Sequence, residues 1–542
     1  MKTWILISLM SLHITFICAQ NIPPTTSLVY PGIDNKLVYI PDSLGNKIPD
    51  FSNAGYKGGG VSIPTVAVKA TVWPVLGDNA RHIQEVIDSV SALQLDTNGF
   101  RGAILLKMGY YNLEKPLYIK ASGVVLRGEG MGDTGTILFG QLPVPGGGGD
   151  RRYRRPALVN IEGETAVKPL GDTEVAITTD YVPVGSVTFS VESAKTFKSG
   201  DKVIVRRFGN QEWIRELGLD SATVGKRNHW KPFDIDYDRT IIAVSDNSIT
   251  LDAPIFCAIE SRWGGGAVYK YNDERIENIG VENLRGISQF DPSVRTTVYG
   301  NMDRDDLGEQ YRYQGDEYYA DENHYSNFIN ITNAKNVWVR NMSALHFASS
   351  VVQANAGTKY VTVQDCQSIE PVSQRWGGRR FTFQMNGQFC LVQRCLSEKG
   401  RHSFVSQSHE ASGNVFLECT AINPYSSSEP HNHWVNGALY DNVKAPLTAR
   451  FWDYVIGWAG ANIVFWNCEG DFLIQSPPTA QNYSFGHIGV NAVVFNAALQ
   501  DLTKPNGHVE SMDKHVTPRS LYLTQLMERL GKQALENIQA PL

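Results

Sequence analysis

The feature that most constrains this chain is a repeat in its second half. It runs through Val337-Trp-Val-Arg-Asn-Met342, Val361-Thr-Val-Gln-Asp-Cys366, Cys390-Leu-Val-Gln-Arg-Cys395, Asn414-Val-Phe-Leu-Glu-Cys419, Ala438-Leu-Tyr-Asp-Asn-Val443, Ile463-Val-Phe-Trp-Asn-Cys468 and Val493-Val-Phe-Asn-Ala497. Their last residues step by 24, 29, 24, 24, 25 and 29. Turn dipeptides precede most of them, such as Ala356-Gly357, Asn386-Gly387 and Asn436-Gly437. One short β-rich segment and one Gly-rich turn per ~25 residues is the pattern of a solenoid. The Leu-x-x-Leu-x-Leu pattern of leucine-rich repeats is missing, which leaves a parallel β-helix. Cys366, Cys395, Cys419 and Cys468 then occupy one interior position per coil, expected as buried free thiols because Cys packs as a small hydrophobe. A solenoid also accounts for the length, since 542 residues exceed what one compact core of about 250–300 residues can hold.

The ends of the chain have a different texture. Lys2, the apolar run Trp4 to Cys18 and Ala19-Gln20 read as a cleaved export signal, so a secreted or periplasmic protein is expected; a lipid anchor on Cys18 is the weaker reading. No later stretch is long and apolar enough to embed in a membrane. Ile83, Val86, Ile87, Val90 and Leu93 recur at helical spacing behind Gly77-Asp78. Residues 170–260 alternate like antiparallel strands and predict a small β insertion, whose Trp213 and Trp230 are suited to sugar stacking or to packing. Pro518 to Gly531 predicts a helix with Leu523, Leu526 and Leu530 on one face, continued by Ala534, as a cap over the open solenoid end. The expected divisions are 1–20 signal, 21–70 extension, 71–169 helix cap and first coils, 170–260 insertion, 261–505 main coils with a loop at 285–325, and 506–542 tail with capping helix.

Gly77-Asp78, Met108-Gly109-Tyr110 and Leu126-Arg127-Gly128-Glu129-Gly130, with the later ladder, resemble the pectate-lyase-like superfamily of right-handed parallel β-helix proteins. The resemblance spans roughly residues 70–500. It implies an all-β solenoid with a helical N-terminal cap, a functional groove on its outer face, and activity on polysaccharides as a lyase or glycoside hydrolase. The Asp clusters of Ca²⁺-dependent pectate lyases are not recognisable here, nor are the polygalacturonase-like motifs.

Candidate site residues fall in two columns. Four positions past each rung stand His346, Glu370, Lys399 and Asn423. Beside them, cationic or imidazole groups recur next to aromatics in Arg379-Arg380-Phe, Arg401-His402-Ser-Phe, His431-Asn-His433-Trp434 and Arg450-Phe-Trp-Asp453. Stacked like charges repel unless a carboxylate or an anionic polymer neutralises them. The loop 299–325 adds tyrosines, including Tyr325, a lone His324, and acids from Asp303 to Glu322 able to offer oxygens to Ca²⁺, although the spacing matches no known Ca²⁺ loop. The run Arg151 to Arg155 reads as a groove edge or a solvated loop.

β-Elimination on a uronate glycan needs a cation to neutralise the substrate carboxylate and a base to take the C5 proton. The expected catalytic set is His402 or Lys399 as base, Arg380 and Arg401 as neutralisers, and His433 as helper. Arg379, His346, Glu370, Asn423, Trp434, Arg450, Tyr325 and His324 are the expected substrate contacts. A hydrolase would instead need two carboxyls about 5–9.5 Å apart, best met by Glu370 with Glu398. A non-catalytic glycan-binding solenoid is the third reading. The formal charge of −6 gives no global basic field, so nucleic acid is not an expected partner.

Overall fold

The computed structural model describes residues 25–34, 36–142, 156–220, 230–299, 313–452, 456–492 and 501–539. The signal segment, Arg151–Arg155, residues 301–312 of the acidic loop, Asp453 and the last repeat at 493–497 lie outside the described residues, as do the side chains of Tyr299 and Tyr313.

Three parallel sheets wind into a β-helix. The first runs from Val68–Val72 and Gly102–Leu106 through Lys359–Gln364, Leu391–Gln393, Ser412–Leu417, Val435–Asp441 and Val464–Trp466 to His508–Glu510. The second includes Gly109–Leu113, Thr136–Gly140, Gln367–Ile369, Leu396–Glu398 and Thr420–Ile422. The third stacks Leu117–Ile119, Val159–Glu162, Ile329–Thr332, Val352–Ala354, Phe381–Met385, His402–Gln407 and Glu429–His431. Two long strands, Ile276–Ser288 and Ala334–Leu345, serve the first sheet with one half and the second with the other.

The repeat has a backbone cause. Asn341, Asp365, Arg394, Glu418, Asn442 and Asn467 all have positive φ, between 51° and 56°. Each sits one residue before a rung and turns the chain from the first sheet into the second. Left-handed backbone costs an L-residue about 1–2 kcal/mol, least for Asn and Asp, so the Asn/Asp-rich step before each rung is the corner itself. Behind the corners Met342, Cys366, Cys395, Cys419, Val443 and Cys468 lie buried in one core. The six cysteines from Cys257 to Cys468 are free and buried.

The outer face of the first sheet is covered. An antiparallel sheet spanning Val167 to Asp273, wider than the expected 170–260, forms the insertion. Its Trp213, Trp230 and Phe256 share a core with Val415, Leu439, Val464 and Trp466 of the coils. Trp213 and Trp230 are therefore packing residues. The helix Ala80–Ser91 buries Ile83, Ile87 and Val90 against the first coils, as the periodicity requires; Leu93 lies past its end and is exposed.

The C-terminal helix corrects an expectation. Leu521–Leu530, followed by Lys532–Gln539, packs on the flank of the first sheet and on the N-terminal segment rather than over the solenoid end. Tyr522 donates to the Ala54 carbonyl at 2.8 Å and Gln525 to that of Pro49 at 2.9 Å. A long strand face needs a cover more than one terminal coil does, because it exposes Leu391, Leu417 and Leu439 together. Among the described residues no helix is long and apolar enough to cross a membrane.

Candidate functional site

The third sheet carries the densest chemistry. Its strands bring Phe381 beside His402, and Val405 and Gln407 beside Glu429 and His431. Glu429 and His431 are two residues apart on one strand, so both side chains emerge on the same face. His431 Nδ1 lies 2.6 Å from Glu429 Oε1, and His402 Nδ1 lies 3.4 Å from the same oxygen. Ser427 Oγ and Thr448 Oγ1 donate to Glu429 Oε2 at 3.0 and 2.7 Å. His402 Nδ1 donates to the Ser427 carbonyl at 2.6 Å. Phe381 and Trp452 pack edge-on against both imidazoles.

Burial and the adjacent Arg401 guanidinium push His402 well below its ordinary pKa. Burial alone would raise the Glu429 carboxyl; His402 and His431, with Arg450 behind them, hold it well below the carboxylate range.

Beside this buried centre lies a platform of guanidiniums and aromatic rings, in which Arg375, Trp376, Arg401 and Tyr425 are half-buried while Tyr318, Arg379 and Arg380 are buried. The Arg375 guanidinium sits 3.9 Å from the Tyr318 ring and 4.3 Å from that of Tyr425. Arg379 stacks 3.9 Å over Trp376 and is held by Glu322 at 2.6 Å. Arg380 lies under Tyr425 and donates to Ser373 and to the Lys399 carbonyl. Burial, and then the like charge of Arg375, push Arg380 down to about 10, so it stays cationic at neutral pH. Arg401 donates to the Gly377 carbonyl. Arg450 stacks 3.7 Å over Trp452 on the far side of the imidazoles.

The structure divides the expected catalytic set. Arg380, Arg401 and His402 do gather on this face, but His402 is sealed from solvent. Lys399 is a corner residue at φ 52°, and its amine turns to Glu398 at 3.3 Å. His433 leaves for another flank: Asn432 at φ 43° bends the chain after His431, and His433 packs on Trp230 and Phe233 of the insertion. The five therefore do not form one centre.

Among the expected substrate contacts, Arg379 and Arg450 belong to the platform and its far edge. His346, Glu370 and Asn423 share with Lys399 the second set of corners, at φ 67°, 47° and 48°; His346 faces Glu370 at 3.8 Å. Trp434 is buried against Trp213, Tyr325 lies in the solenoid core, and His324 is fixed between Ser288 Oγ and the Val372 carbonyl. These three are packing residues. The hydrolase pair is likewise engaged, Glu370 at a corner with His346 and Glu398 at the end of its strand with Lys399. In the acidic loop, Asp321 accepts the backbone N–H groups of Asp291 and Asn323. Its described acids form no oxygen-rich cluster of the kind Ca²⁺ requires.

Sequence reasoning missed Glu429, Arg375, Trp376 and Tyr425. Arg375-Trp376 stands just ahead of the Arg379-Arg380 pair that was singled out, and Glu429 precedes His431 by the two-residue step of a strand face.

No family model matches the chain, and no curated protein matches it significantly. Solved structures that resemble it include the Gp54 tailspike of Acinetobacter baumannii bacteriophage AP22, determined with a capsular saccharide (12% identity, TM-score 0.33, 76% of this chain and 56% of that one). Others are DFA-IIIase of Arthrobacter chlorophenolicus A6 with DFA-III (12%, 0.34, 85% and 88%) and the tailspike of E. coli bacteriophage HK620 with a pentasaccharide (10%, 0.37, 81% and 63%). The chain spans little more than half the length of the first tailspike. At such TM-scores the assignment of the class, an all-β parallel β-helix, stands on the chain's own strand pairing.

Proposed function

We propose that this chain is an exported carbohydrate-active enzyme that cleaves an acidic, uronate-containing polysaccharide by β-elimination. The observation that carries the reading is the platform, where the half-buried Arg375 and Arg401 stand beside the half-buried Trp376 and Tyr425, backed by the buried Tyr318, Arg379 and Arg380. Aromatic faces suit sugar rings, and guanidiniums pair bidentately with carboxylates. Neutralising the uronate carboxylate acidifies C5. A base then takes the C5 proton, the C4–O bond breaks, a C4=C5 double bond forms, and the leaving oxygen acquires a proton. Arg375 and Arg401 take the role of neutralisers. Tyr425 takes the role of base: it is half-buried on the platform, whereas His402 is sealed, Lys399 is turned to Glu398 and His433 lies elsewhere.

The test is to incubate the purified protein with a panel of uronate and neutral polysaccharides, following the ultraviolet absorbance of the unsaturated product and the release of reducing ends. Both signals on a uronate glycan support elimination. Reducing ends alone would turn the reading to hydrolysis, and neither signal on any glycan would remove catalysis from it.

A further inference from the structure

We infer that His402, Glu429 and His431 form a binding site for one divalent transition-metal cation of the Zn²⁺ class. This goes beyond the proposed function, which uses none of the three. Their ligand atoms lie within 4.8 Å of one another. They come from two successive coils, so the site exists only when the solenoid is wound.

The donors are already oriented. Two hydroxyls, Ser427 Oγ and Thr448 Oγ1, hold Glu429 Oε2 and leave Oε1 facing the imidazoles. The Ser427 carbonyl fixes the His402 ring through Nδ1. Such outer partners, a carbonyl or hydroxyl holding each ligand in place, accompany metal-binding imidazoles and carboxylates. A second observation points to an occupant: His402 Nε2 is fully buried and, among the described residues, has no hydrogen-bond partner. A buried imidazole nitrogen without a partner carries a desolvation cost that a cation bound to it relieves.

The donor set selects the ion. Two imidazoles and a carboxylate suit Zn²⁺ and its neighbours, whereas Ca²⁺ takes six to eight oxygens. Zn–N and Zn–O bonds of about 2.0–2.2 Å place tetrahedral donors roughly 3.3 Å apart. The 2.6 Å between His431 Nδ1 and Glu429 Oε1 must open by about 0.7 Å, and His402 must present Nε2 to the ion, because its Nδ1 proton is held by the Ser427 carbonyl. Phe381 and Trp452 wall the site on either side. Arg450 and Arg401 lie close by and oppose a second positive charge, so binding is weaker than at a site without guanidinium neighbours.

The full-length protein, stripped with a chelator and titrated with Zn²⁺ alone, is expected to bind one ion per chain by metal analysis after equilibrium dialysis. Binding should raise Tm, and chelation should reverse it. His431→Ala and Glu429→Gln should each weaken binding at least tenfold. Because either variant can disturb folding, the wild-type protein loaded with Co²⁺ provides a second readout: visible d–d bands of a nitrogen-ligated, low-coordinate ion. No stoichiometric uptake, or uptake equal in both folded variants, would overturn the site. Glycan cleavage that survives chelation would leave the proposed function standing, so the two fail separately.

Discussion

The guanidinium of Arg375 is held between two phenol rings, 3.9 Å from Tyr318 and 4.3 Å from Tyr425. Tyr318 arrives from the strand Tyr313–Tyr319 and Tyr425 from the turn before Glu429, so the sandwich joins two distant excursions from the solenoid. Each cation–π contact of this kind contributes about 0.5–2 kcal/mol, most when desolvated. The platform is therefore a rigid cationic surface assembled before any ligand arrives.

Tyr425 separates stacking from proton transfer. Tyr425→Phe keeps the ring against Arg375 and removes only the hydroxyl, so kcat on a uronate glycan should fall about 10²–10⁴-fold with KM nearly unchanged. Tyr425→Ala should lose both kcat and affinity. Steady-state kinetics on the two variants reads the difference, and an active Tyr425→Phe would move the base elsewhere.

Arg375 sets charge recognition. Arg375→Gln removes the cation while leaving polar bulk between the rings. Affinity for an acidic glycan should drop about tenfold, one charge-assisted contact of roughly 1.5 kcal/mol, with binding to neutral glycans unchanged. Wild-type affinity should also weaken as salt rises from about 0.05 to about 0.5 M, since Arg375 is only half-buried and the Debye length shortens over that range. Calorimetric titration at two salt concentrations tests both.

How much could be seen beforehand follows from what each coil repeats. The corner from the first sheet to the second uses the same backbone at Asn341, Asp365, Arg394, Glu418, Asn442 and Asn467, followed at once by an interior rung, so the architecture is written as a period. The third sheet follows turns whose lengths differ, as the 24- and 29-residue steps show, and its register cannot be counted from the rungs. Glu429 stands in Ser426-Ser427-Ser428-Glu429-Pro430, which has the composition of a loop. Tyr318 and Glu322 meet Arg375 and Arg379 across more than fifty residues of chain, a pairing no local pattern encodes. The polar column, by contrast, is legible but serves the backbone: His346, Glu370, Lys399 and Asn423 are chosen for a left-handed corner.

That last distinction is testable at Lys399. With φ at 52°, Asn suits the position better than Lys, so Lys399→Asn should keep or raise stability by up to about 1 kcal/mol. Turnover should stay within about twofold of wild type, because the amine is directed at Glu398. Urea unfolding and kinetics on one variant check both statements; a large loss of turnover would restore Lys399 as a catalytic candidate.

The cysteine ladder should be inert in the folded protein. Cys366, Cys395 and Cys419 lie in successive coils, with the Cys395 Sγ 3.4 Å from the Gln393 carbonyl, and all are inaccessible. A thiol reagent should label none of the described cysteines in native protein and all six after denaturation. Cys395→Ser should destabilise by about 1–3 kcal/mol, more than Cys395→Ala, because a hydroxyl is costlier than a thiol to bury in an apolar core.

Asp441 gives the fold a pH dependence with a definite sign. Its carboxylate is fully buried where the C-terminal helix docks on the first sheet, and accepts from Ser520 Oγ at 2.7 Å and from the Tyr522 N–H at 2.8 Å. Burial pushes it up to about 7, against the partial relief of those hydrogen bonds. An unfolded Asp titrates near 3.9. Between about pH 4 and 7 the folded state therefore holds the extra proton, and this group's contribution favours folding most below that window. Stability is lost as pH rises through it, by an order of about 4 kcal/mol at most, and levels off above pH 7. Asp441→Asn cannot ionise and should flatten the slope, so the difference in unfolding free energy between variant and wild type must change between pH 5 and pH 8, in the variant's favour at the higher pH. A constant difference across that range would mean that the Ser520 and Tyr522 donors hold the carboxylate ionised throughout, and that docking of the helix Leu521–Leu530 is not linked to this proton.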